Sequence, residues 1–278
     1  MKLALSGRIA EAEHVKEATV SVEELARLAV EVGYDALCLR PSQANVETSD
    51  ERLREMRATL DQFGLNASMV TPDARIARQG GDPAANATLR DFEPALHVAR
   101  ALQAGLLRVA LKGDDDIAWA QLAADAAREY GLRLVHQTHA ATPFETLMDC
   151  QTMLRRIDRS NFGLTVEPAN LALCGEDYGL DALRPIGRSI FNVYVQNVRS
   201  TPGGASAVST NRGAVRYERL IVGDPGGIDL GKFFDALHAL EYNGYVTAHQ
   251  PAIESIAMES LAKRVHGALA SFVQQPAR

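Results

Sequence analysis

Cysteine is scarce in this chain of 278 residues, and long apolar runs are absent from it. Cys38, Cys150 and Cys174 are odd in number, widely separated and include no C-x-x-C pair. This spacing argues against a disulfide framework and favours a reducing compartment. No apolar run approaches the roughly 18 residues of a membrane span, and residues 1–8 lack the apolar core of a signal peptide. We therefore expect a cytoplasmic protein without a membrane span.

A surplus of positive charge is also lacking. Lys and Arg number 29 against 35 Asp and Glu, which gives a formal net charge of −6. Nucleic-acid grooves and membrane-binding surfaces need basic patches, so we expect neither nucleic acid nor a membrane as a partner. Apolar residues make up 46% of the chain, enough for a large core. A globular protein with a small-molecule partner is the expectation.

What the chain does contain is a repeated unit, in which a helical segment ends at a glycine and a short apolar strand follows. Gly33, Gly64, Gly105, Gly131 and Gly244 mark five such units. Glycine at this place supplies the left-handed conformation that often ends a helix. With three further apolar runs, eight strands are predicted, at residues 3–5, 36–39, 66–70, 106–111, 132–135, 162–166, 190–195 and 245–248.

Eight strands that alternate with helices favour an α/β fold, a single (β/α)8 TIM barrel, over an open doubly wound sheet. No G-x-G-x-x-G follows the first strand and no Walker sequence is present, which weakens the nucleotide-binding alternatives. The length fits the roughly 250 residues of such a barrel, so we predict one domain across residues 1–278. Function in this fold gathers at the C-terminal ends of the strands.

The stretch 131–170 contains two of these strand ends. One strand ends in L-V-H-Q-T-H and the next in F-G-L-T-V-E. Because side chains alternate along a strand, Gln137 and His139 share one face and His136 takes the other. Between the two strands we predict a helix that begins at Thr142, whose hydroxyl would cap it. The site is expected here.

Polar and nucleophilic side chains at the predicted strand ends are the candidate site residues. They are Cys38, Arg40, Thr71, Lys112, Gln137, His139, Glu167, Tyr194, Gln196, Thr247 and His249. Glu167 is the only carboxylate among them, and a buried charge needs a partner, so a metal, Lys112 or Arg40 is expected beside it. His139 and His249 are candidate nitrogen ligands or proton carriers. The alternative is a hydrogen-bonded polar cluster without chemistry.

The connection 200–229 is too long for an ordinary barrel loop, and loops of this length often serve as lids or binding loops. It is predicted to be a lid or a partner-contacting loop over the barrel mouth, with Gly203 and Gly204 as a hinge. Arg212, Arg216 and Arg219 would either clamp an anionic group of the substrate or form a solvated face. The solvated face is the favoured interpretation.

Several segments resemble the xylose-isomerase-like, or sugar phosphate isomerase/epimerase, TIM barrels. These segments are E-E-L-A-R-L-A-V-E-V-G-Y-D-A-L-C-L-R, L-V-H-Q-T-H, F-G-L-T-V-E-P-A-N-L, N-V-Y-V-Q-N, G-D-P-G-G-I-D-L and G-Y-V-T-A-H. Their order and spacing cover nearly the whole chain. The family includes tagatose and psicose 3-epimerases, hydroxypyruvate isomerase, inosose dehydratase and, more distantly, endonuclease IV. The resemblance implies a TIM barrel with its site at the mouth.

The resemblance also implies metal ligands, and here the sequence departs from it. The family's ligands are Glu, Asp, His and Glu on four strands, and the matching positions hold Gln137, Glu167, Tyr194 and His249. In the family's epimerases the two glutamates also move the substrate proton, and neither remains. In one interpretation Glu167 binds one divalent ion of Mn, Zn, Mg or Co together with His249, Gln137 or His139. In the other, no metal binds.

The resemblance implies an isomerase or epimerase that moves a proton next to the carbonyl of a small sugar, sugar phosphate or related polyhydroxylated keto compound. A dehydratase or lyase on a similar substrate begins with the same step. A sugar-binding or partner subunit without catalysis, and a homo-oligomer, are left open. His249, Glu167 and His139 are the expected catalytic residues. The expected substrate-binding residues are Arg40, Lys112, Gln137, Tyr194 and Gln196.

Overall fold

Eight parallel strands form a closed barrel in the computed structural model, which describes residues 1–12, 17–73, 75 and 83–274. The strands are β1 (Lys2–Ser6), β2 (Ala36–Leu39), β3 (Asn66–Val70), β4 (Leu106–Arg108), β5 (Arg133–Gln137), β6 (Phe162–Val166), β7 (Ile190–Val195) and, closing the barrel against β1, β11 (Tyr245–Ala248). The predicted (β/α)8 TIM barrel is confirmed.

Helices surround the barrel. They are α1 (Val22–Val32), α2 (Asp50–Gln62), α3 (Ala87–Arg90), α4 (Glu93–Ala101), α5 (Ile117–Arg128), α6 (Leu147–Ile157), α7 (Pro168–Leu173), α8 (Leu180–Leu183), α9 (Leu230–Ala239) and α10 (Met258–Val273). Short 3₁₀ turns lie at Gly7–Ala10, Pro83–Asn86, Asp114–Asp116 and Arg184–Ser189. Across the described ranges, no helix has the length and apolar character needed to cross a membrane.

Local sequence sets the ends of these helices. Ser21 and Glu24 form a capping box at the start of α1, and Gly33 ends that helix with φ +104°. The helix predicted to begin at Thr142 begins instead at Leu147, capped by Thr146, so that prediction was wrong. Thr142 stabilises a tight turn, because its hydroxyl donates to the His139 carbonyl and accepts from the Phe144 amide.

The hydrophobic core has two parts, one outside the barrel and one inside it. The outer faces of the strands pack against the apolar faces of the helices in one continuous cluster. The inner cluster is small and consists of Cys38, Met69, Leu106, Val135 and Tyr194, with Phe191 beside it. Since side chains alternate along a strand, residues two positions further along face the same interior at the C-terminal mouth. This alternation positions the site.

A three-stranded antiparallel sheet stands at the mouth, made of β8 (Asn197–Ser200), β9 (Ser206–Thr210) and β10 (Gly213–Leu220) in the order β8-β10-β9. The structure differs here from the expectation of a long loop at 200–229. Val208, Val215 and Tyr217 pack against Val198 and the α7 helix. The remaining side chains of β9 and β10 are mostly polar or small, so the sequence carries little of the apolar alternation that predicts a strand.

Candidate functional site

A cavity of about 400 Å³ lies between the C-terminal mouth of the barrel and the β8-β10-β9 sheet. The barrel contributes Gln137, His139, Gln196 and His249 to its wall, and the sheet contributes small side chains together with Tyr217 and Arg219. The volume is within the range of small-molecule pockets. The sheet therefore forms part of the cavity wall rather than lying apart from it.

Glu167 is fully buried beneath this cavity at the end of β6. Gln137 Nε2 donates to its Oε2 and Gln196 Nε2 donates to its Oε1. Asn170 Nδ2 also donates to Oε2, at 2.8 Å. Burial raises the pKa of Glu167, although the amides of Gln196 and Gln137 and the charge of Arg8 act in the opposite direction. Glu167 thus orients three amide side chains around itself.

His249 follows β11 and lines the cavity. Its Nδ1 is 2.9 Å from Ser6 Oγ, at the end of β1. Its ring lies flat against Tyr194, with centroids 3.9 Å apart and planes 4° from parallel. Tyr194 is fully buried, which raises the pKa of its phenol well above the ordinary value, and its hydroxyl lies 3.4 Å from Cys38 Sγ. The imidazole of His249 is therefore held in one orientation.

His139 is the second imidazole of the cavity wall. Its Nδ1 donates to the Ala140 carbonyl at 2.8 Å. Burial lowers the pKa of His139 to about 4, which outweighs that hydrogen bond, and the charges of Arg108 and Lys112 lower it further. His139 is consequently neutral near pH 7.

Among the residues that the structure describes, four arginines line the cavity: Arg8, Arg40, Arg108 and Arg219. Arg40 and Arg108 are buried, and Arg8 is partly buried. The sequence-based candidates included Arg40, while Arg219 was interpreted as part of a solvated face. Arg8 and Arg108 were missed. Arg108 is the last residue of β4, and the prediction extended that strand to Leu111.

That extension also explains the position of Lys112, which was expected at the mouth. It lies beyond the end of β4, where its backbone N–H donates to Asp116 at 2.8 Å, and it does not line the cavity. Thr247 is deeper in the barrel, where its hydroxyl donates to Asn192 at 3.0 Å. Arg212 and Arg216 bond to the Gly175 and Gly204 carbonyls outside the cavity.

The metal implied by the resemblance does not fit these donors. Both oxygens of Glu167 accept amide hydrogen bonds, the Tyr194 phenol stays neutral, and His249 uses Nδ1 on Ser6. The charge of Arg108 also acts on Glu167 and Tyr194. Within the described part of the chain, no group of three or more His, Cys, Asp or Glu is placed to hold an ion. Divalent cations need several anionic or lone-pair donors, and this site instead presents N–H groups.

Comparisons with solved structures give the same fold at low sequence identity. A D-psicose 3-epimerase solved with D-fructose is 14% identical over 99% of this chain and 100% of its own, with a TM-score of 0.71. A probable 3-DHS dehydratase of petrobactin synthesis from Bacillus anthracis is 15% identical over 97% of this chain and 99% of its own, with a TM-score of 0.69. A xylose isomerase-like TIM barrel protein from Mycobacterium smegmatis in complex with magnesium is 16% identical over 98% of this chain and 96% of its own, with a TM-score of 0.71. Likeness at these identities shows the fold alone.

No curated protein sequence matches this chain significantly. The family model of the xylose isomerase-like TIM barrel matches residues 26–265, which include seven of the eight barrel strands and the cavity residues from Arg40 to His249. The match extends over most of the chain, so the resemblance inferred from the sequence is confirmed. This chain belongs to the xylose isomerase-like TIM-barrel family.

Proposed function

We propose that this chain binds a small sugar, sugar phosphate or related polyhydroxylated keto compound in the mouth cavity and transfers the proton next to its carbonyl group, as an isomerase or epimerase does. The main support for this proposal is that His249 lines the cavity while contacts with Ser6 and Tyr194 fix the orientation of its ring. Imidazole is the side chain most often used for general acid–base catalysis near neutral pH. Solved neighbours that include an epimerase support this family-level function.

The hydrogen bond to Ser6 engages one nitrogen of His249. Its Nδ1 lies 2.9 Å from Ser6 Oγ, and in this proposal Nε2 exchanges the proton with the substrate. For Nε2 to accept, Nδ1 must carry the ring hydrogen and donate it to Ser6 Oγ. That oxygen also accepts from the backbone N–H of Arg8 at 3.3 Å. Ser6 thereby selects the tautomer, and the stacking on Tyr194 limits rotation of the ring.

Negative charge develops on the carbonyl oxygen when the neighbouring proton leaves, and the cavity offers donors for it. Arg8, Arg108 and the amides of Gln137 and Gln196 line the wall. Arg8 is held in place because its Nη1 donates to Gln196 Oε1 at 2.7 Å. Donors fixed in advance stabilise a developing oxyanion without reorganising during the reaction. In this proposal the arginines supply the electrostatic stabilisation, and no step passes through a metal.

The outcome depends on where the proton returns. Return by His249 to the neighbouring carbon gives an isomerase, and return to the same carbon from the opposite face by a second proton donor gives an epimerase. Loss of a hydroxyl group after the same abstraction gives a dehydratase, and one solved neighbour is a probable 3-DHS dehydratase. Proton abstraction is common to all three and is therefore the step to test.

The test follows solvent deuterium entering candidate ketoses, ketose phosphates and keto-inositols in D₂O. We expect exchange with the unchanged protein, and a loss of about 10²- to 10⁴-fold with His249→Asn, the range for removing a general base. Asn keeps a hydrogen-bonding side chain and removes the basic nitrogen. His97→Asn is the matched control, because His97 is half exposed on α4 and bonds to Asp50.

Exchange that His249→Asn leaves at full rate would show that another group moves the proton. If no candidate exchanges while the same compounds raise the melting temperature, the barrel binds its ligand without catalysis. Both results would overturn the proposal, since the first removes its base and the second removes its reaction.

A further inference from the structure

We infer that the ligand of this cavity carries an apolar group of about the size of a benzyl group beside its polyhydroxylated keto part. The side of the cavity formed by α7 and the β8-β10-β9 sheet binds that group, and Val208 and Tyr217 determine the specificity for it. This inference rests on the proposed function and deepens it, because it narrows the substrate class of the same cavity. Binding tests it separately from proton transfer.

The residues that line the cavity differ in chemical type according to the elements that supply them. The ends of the barrel strands supply amide, imidazole and guanidinium groups, among them those of Gln137, Gln196 and His249. Asn170 of α7 also lines the cavity, but its amide group donates to Glu167 at 2.8 Å. Helix α7 and the sheet supply most of the apolar side chains, including Ala169, Leu173, Val198, Val208 and Tyr217. These five residues belong to one apolar cluster, and we name them the apolar wall.

The inner part of the apolar wall is shielded from solvent. Leu173 is 7% exposed and Val198 is 6% exposed. Ser209 and Arg219, which line the cavity from the same sheet, are both exposed. Polar groups of the sheet therefore keep their contact with water, whereas the buried part of the wall presents methyl groups to a ligand.

A simple sugar fits this wall poorly. Each hydroxyl group that leaves water needs a new donor or acceptor, and a buried polar group without one weakens binding. The C–H face of a sugar can stack on a single ring such as that of Tyr217, but this wall extends over side chains from α7 and three strands. An apolar substituent gains affinity there, because its burial removes apolar surface from water. The cavity thus matches a ligand with hydroxyl groups at the strand ends and an apolar group against the wall.

Strands β9 and β10 provide a matched pair of variants. Val208 pairs directly with Val215 in the antiparallel ladder, and both are partly buried residues packed on the same apolar cluster. Val208 lines the cavity, whereas Val215 does not. Thr is β-branched like Val and is equally common in strands, so Val208→Thr and Val215→Thr each add one hydroxyl group to the same sheet. A difference between them in ligand binding reports on the wall of the cavity rather than on the stability of the sheet.

Tyr217 provides a second and independent pair. Its ring packs on the apolar cluster, and Arg219 Nη2 lies 3.5 Å from its hydroxyl oxygen. Tyr217→Phe keeps the ring and removes the hydroxyl group, whereas Tyr217→Ala removes both. Because an aromatic ring buries a large apolar area, the ring is the part of Tyr217 that would bind the substituent.

The experiment measures by calorimetry the binding of methyl β-D-fructopyranoside, benzyl β-D-fructopyranoside and benzyl alcohol to the protein. Neither glycoside has a free carbonyl group, so their binding cannot be confused with turnover. We expect the benzyl glycoside to bind about tenfold more tightly than the methyl glycoside, the order for burying one apolar group. Val208→Thr and Tyr217→Ala should remove most of this advantage, while Val215→Thr and Tyr217→Phe should keep it. Benzyl alcohol, which lacks the polyol, should bind more weakly than the benzyl glycoside.

The inference fails if the benzyl glycoside binds no more tightly than the methyl glycoside, which includes the result that neither binds. It also fails if Val208→Thr and Val215→Thr reduce the advantage of the benzyl glycoside equally, or if benzyl alcohol binds as tightly as that glycoside. Should Tyr217→Ala not fold, the two valine variants still decide the result.

Failure of the proposed function has a different signature. The benzyl glycoside would keep its advantage in the unchanged protein and in His249→Asn, while no candidate substrate exchanges deuterium. Exchange of an unsubstituted ketose without any advantage of the benzyl glycoside would overturn the apolar subsite alone.

Discussion

Glu167 is a buried carboxylate that contacts neighbouring side chains rather than lining the cavity. Three amide side chains donate to its two oxygens, and its charge offsets those of Arg8 and Arg108. We expect Glu167→Gln to lower the free energy of unfolding by about 1 to 3 kcal/mol, because the new amide N–H₂ would face amides that now donate to Glu167 and would be a buried donor without an acceptor. Urea denaturation at pH 7 measures the loss.

The matched control for this change is Glu259→Gln on α10, where Glu259 is 59% exposed and pairs with Lys263. Such a surface pair contributes little, so its denaturation midpoint should barely move. Equal midpoints for the two variants would show that Glu167 does not stabilise the mouth.

His136 offers a pH-dependent prediction. Its Nδ1 donates to the Gln137 carbonyl, its ring stacks on Phe144, and burial lowers its pKa from 6.5 to about 3. Between these values the unfolded chain binds more protons than the folded one, so stability falls as the pH is lowered from 6.5. His136 contributes a slope of up to about 1.4 kcal/mol per pH unit. Denaturation curves from pH 8 to 5 should show a shallower slope for His136→Asn.

Two other groups affect the same titration. His139, with its pKa lowered to about 4, adds a slope of the same sign and gives a second variant, His139→Asn, if His136→Asn folds poorly. Glu167 has a raised pKa, so its contribution to stability grows as the pH falls through that pKa. The comparison between variants cancels this opposing contribution. Unchanged slopes in both histidine variants would mean that these imidazoles titrate normally in the folded protein.

At the residue scale, the sequence predicted some residues of the candidate site and missed others. Gln137, Glu167, Gln196 and His249 were identified because each stands at the end of a clear apolar run, and the structure groups them at the mouth. Their roles stay predictions. Arg108 was missed because the apolar residues after it look like more strand, and residue type alone does not mark where a barrel strand stops pairing.

At the element scale, the β9–β10 hairpin is attached to the barrel by its tip. The Asn211 backbone N–H donates to Glu145 Oε1 at 2.6 Å, and Glu145 Oε2 accepts from the Ala141 N–H at 2.7 Å. Arg212 adds bonds to the Gly175 carbonyl and to Glu176. Glu145 is 1% exposed, so it holds the hairpin over the cavity from a buried position.

We expect Glu145→Ala to release the tip. Two backbone N–H groups would lose their acceptor, which costs about 1 to 3 kcal/mol for each such group that stays buried, and the hairpin would open more often. Trypsin should then cleave after Arg212 and Arg216 several-fold faster, and the affinity for the ligand should fall. Limited proteolysis followed by mass spectrometry identifies the sites.

Glu259→Ala, at an exposed position on α10, is the reference for this experiment. A cleavage rate that is the same in both variants would contradict a latching role for Glu145. Faster cleavage everywhere in the chain, rather than in the hairpin, would mean that the substitution had loosened the barrel.

The β9–β10 hairpin also shows which secondary-structure elements local sequence signals do not predict. Turn and cap residues are short-range signals, and Ser21 with Glu24 marks the start of α1 by a capping box. The helix after β5 was placed too early because Thr142 and Thr146 both resemble caps, and only the turn at His139 decides between them. The β9–β10 pairing depends on packing against α7 and Val198, which no local pattern reveals.

At the scale of the whole molecule, the fold was predictable because eight apolar runs separated by helices leave few arrangements that bury every strand on both faces. The chemistry was less predictable, since the family's motifs carry different side chains here. We expect purified protein to contain no stoichiometric divalent metal, and EDTA to leave both the melting temperature and the deuterium exchange unchanged. Elemental analysis and a thermal scan with and without chelator measure this.

Loss of activity in EDTA that added Mn²⁺ restores would show that an ion binds despite the N–H donors. A melting temperature that falls in EDTA would point to a structural ion instead. Egg-white lysozyme without metal, carried through the same chelation, controls for effects of the chelator itself.

The barrel closes where β1 pairs with β11, from Lys2 against Tyr245 to Leu5 against Ala248. Ser6, which ends β1, and His249, which follows β11, are 243 positions apart in sequence. During synthesis β1 therefore cannot pair with β11 until β11 has been made. No nascent chain that ends before β11 can hold the His249 imidazole in place. If the proposed function holds, a prematurely terminated product would be inactive rather than weakly active, because it would lack the proposed general base.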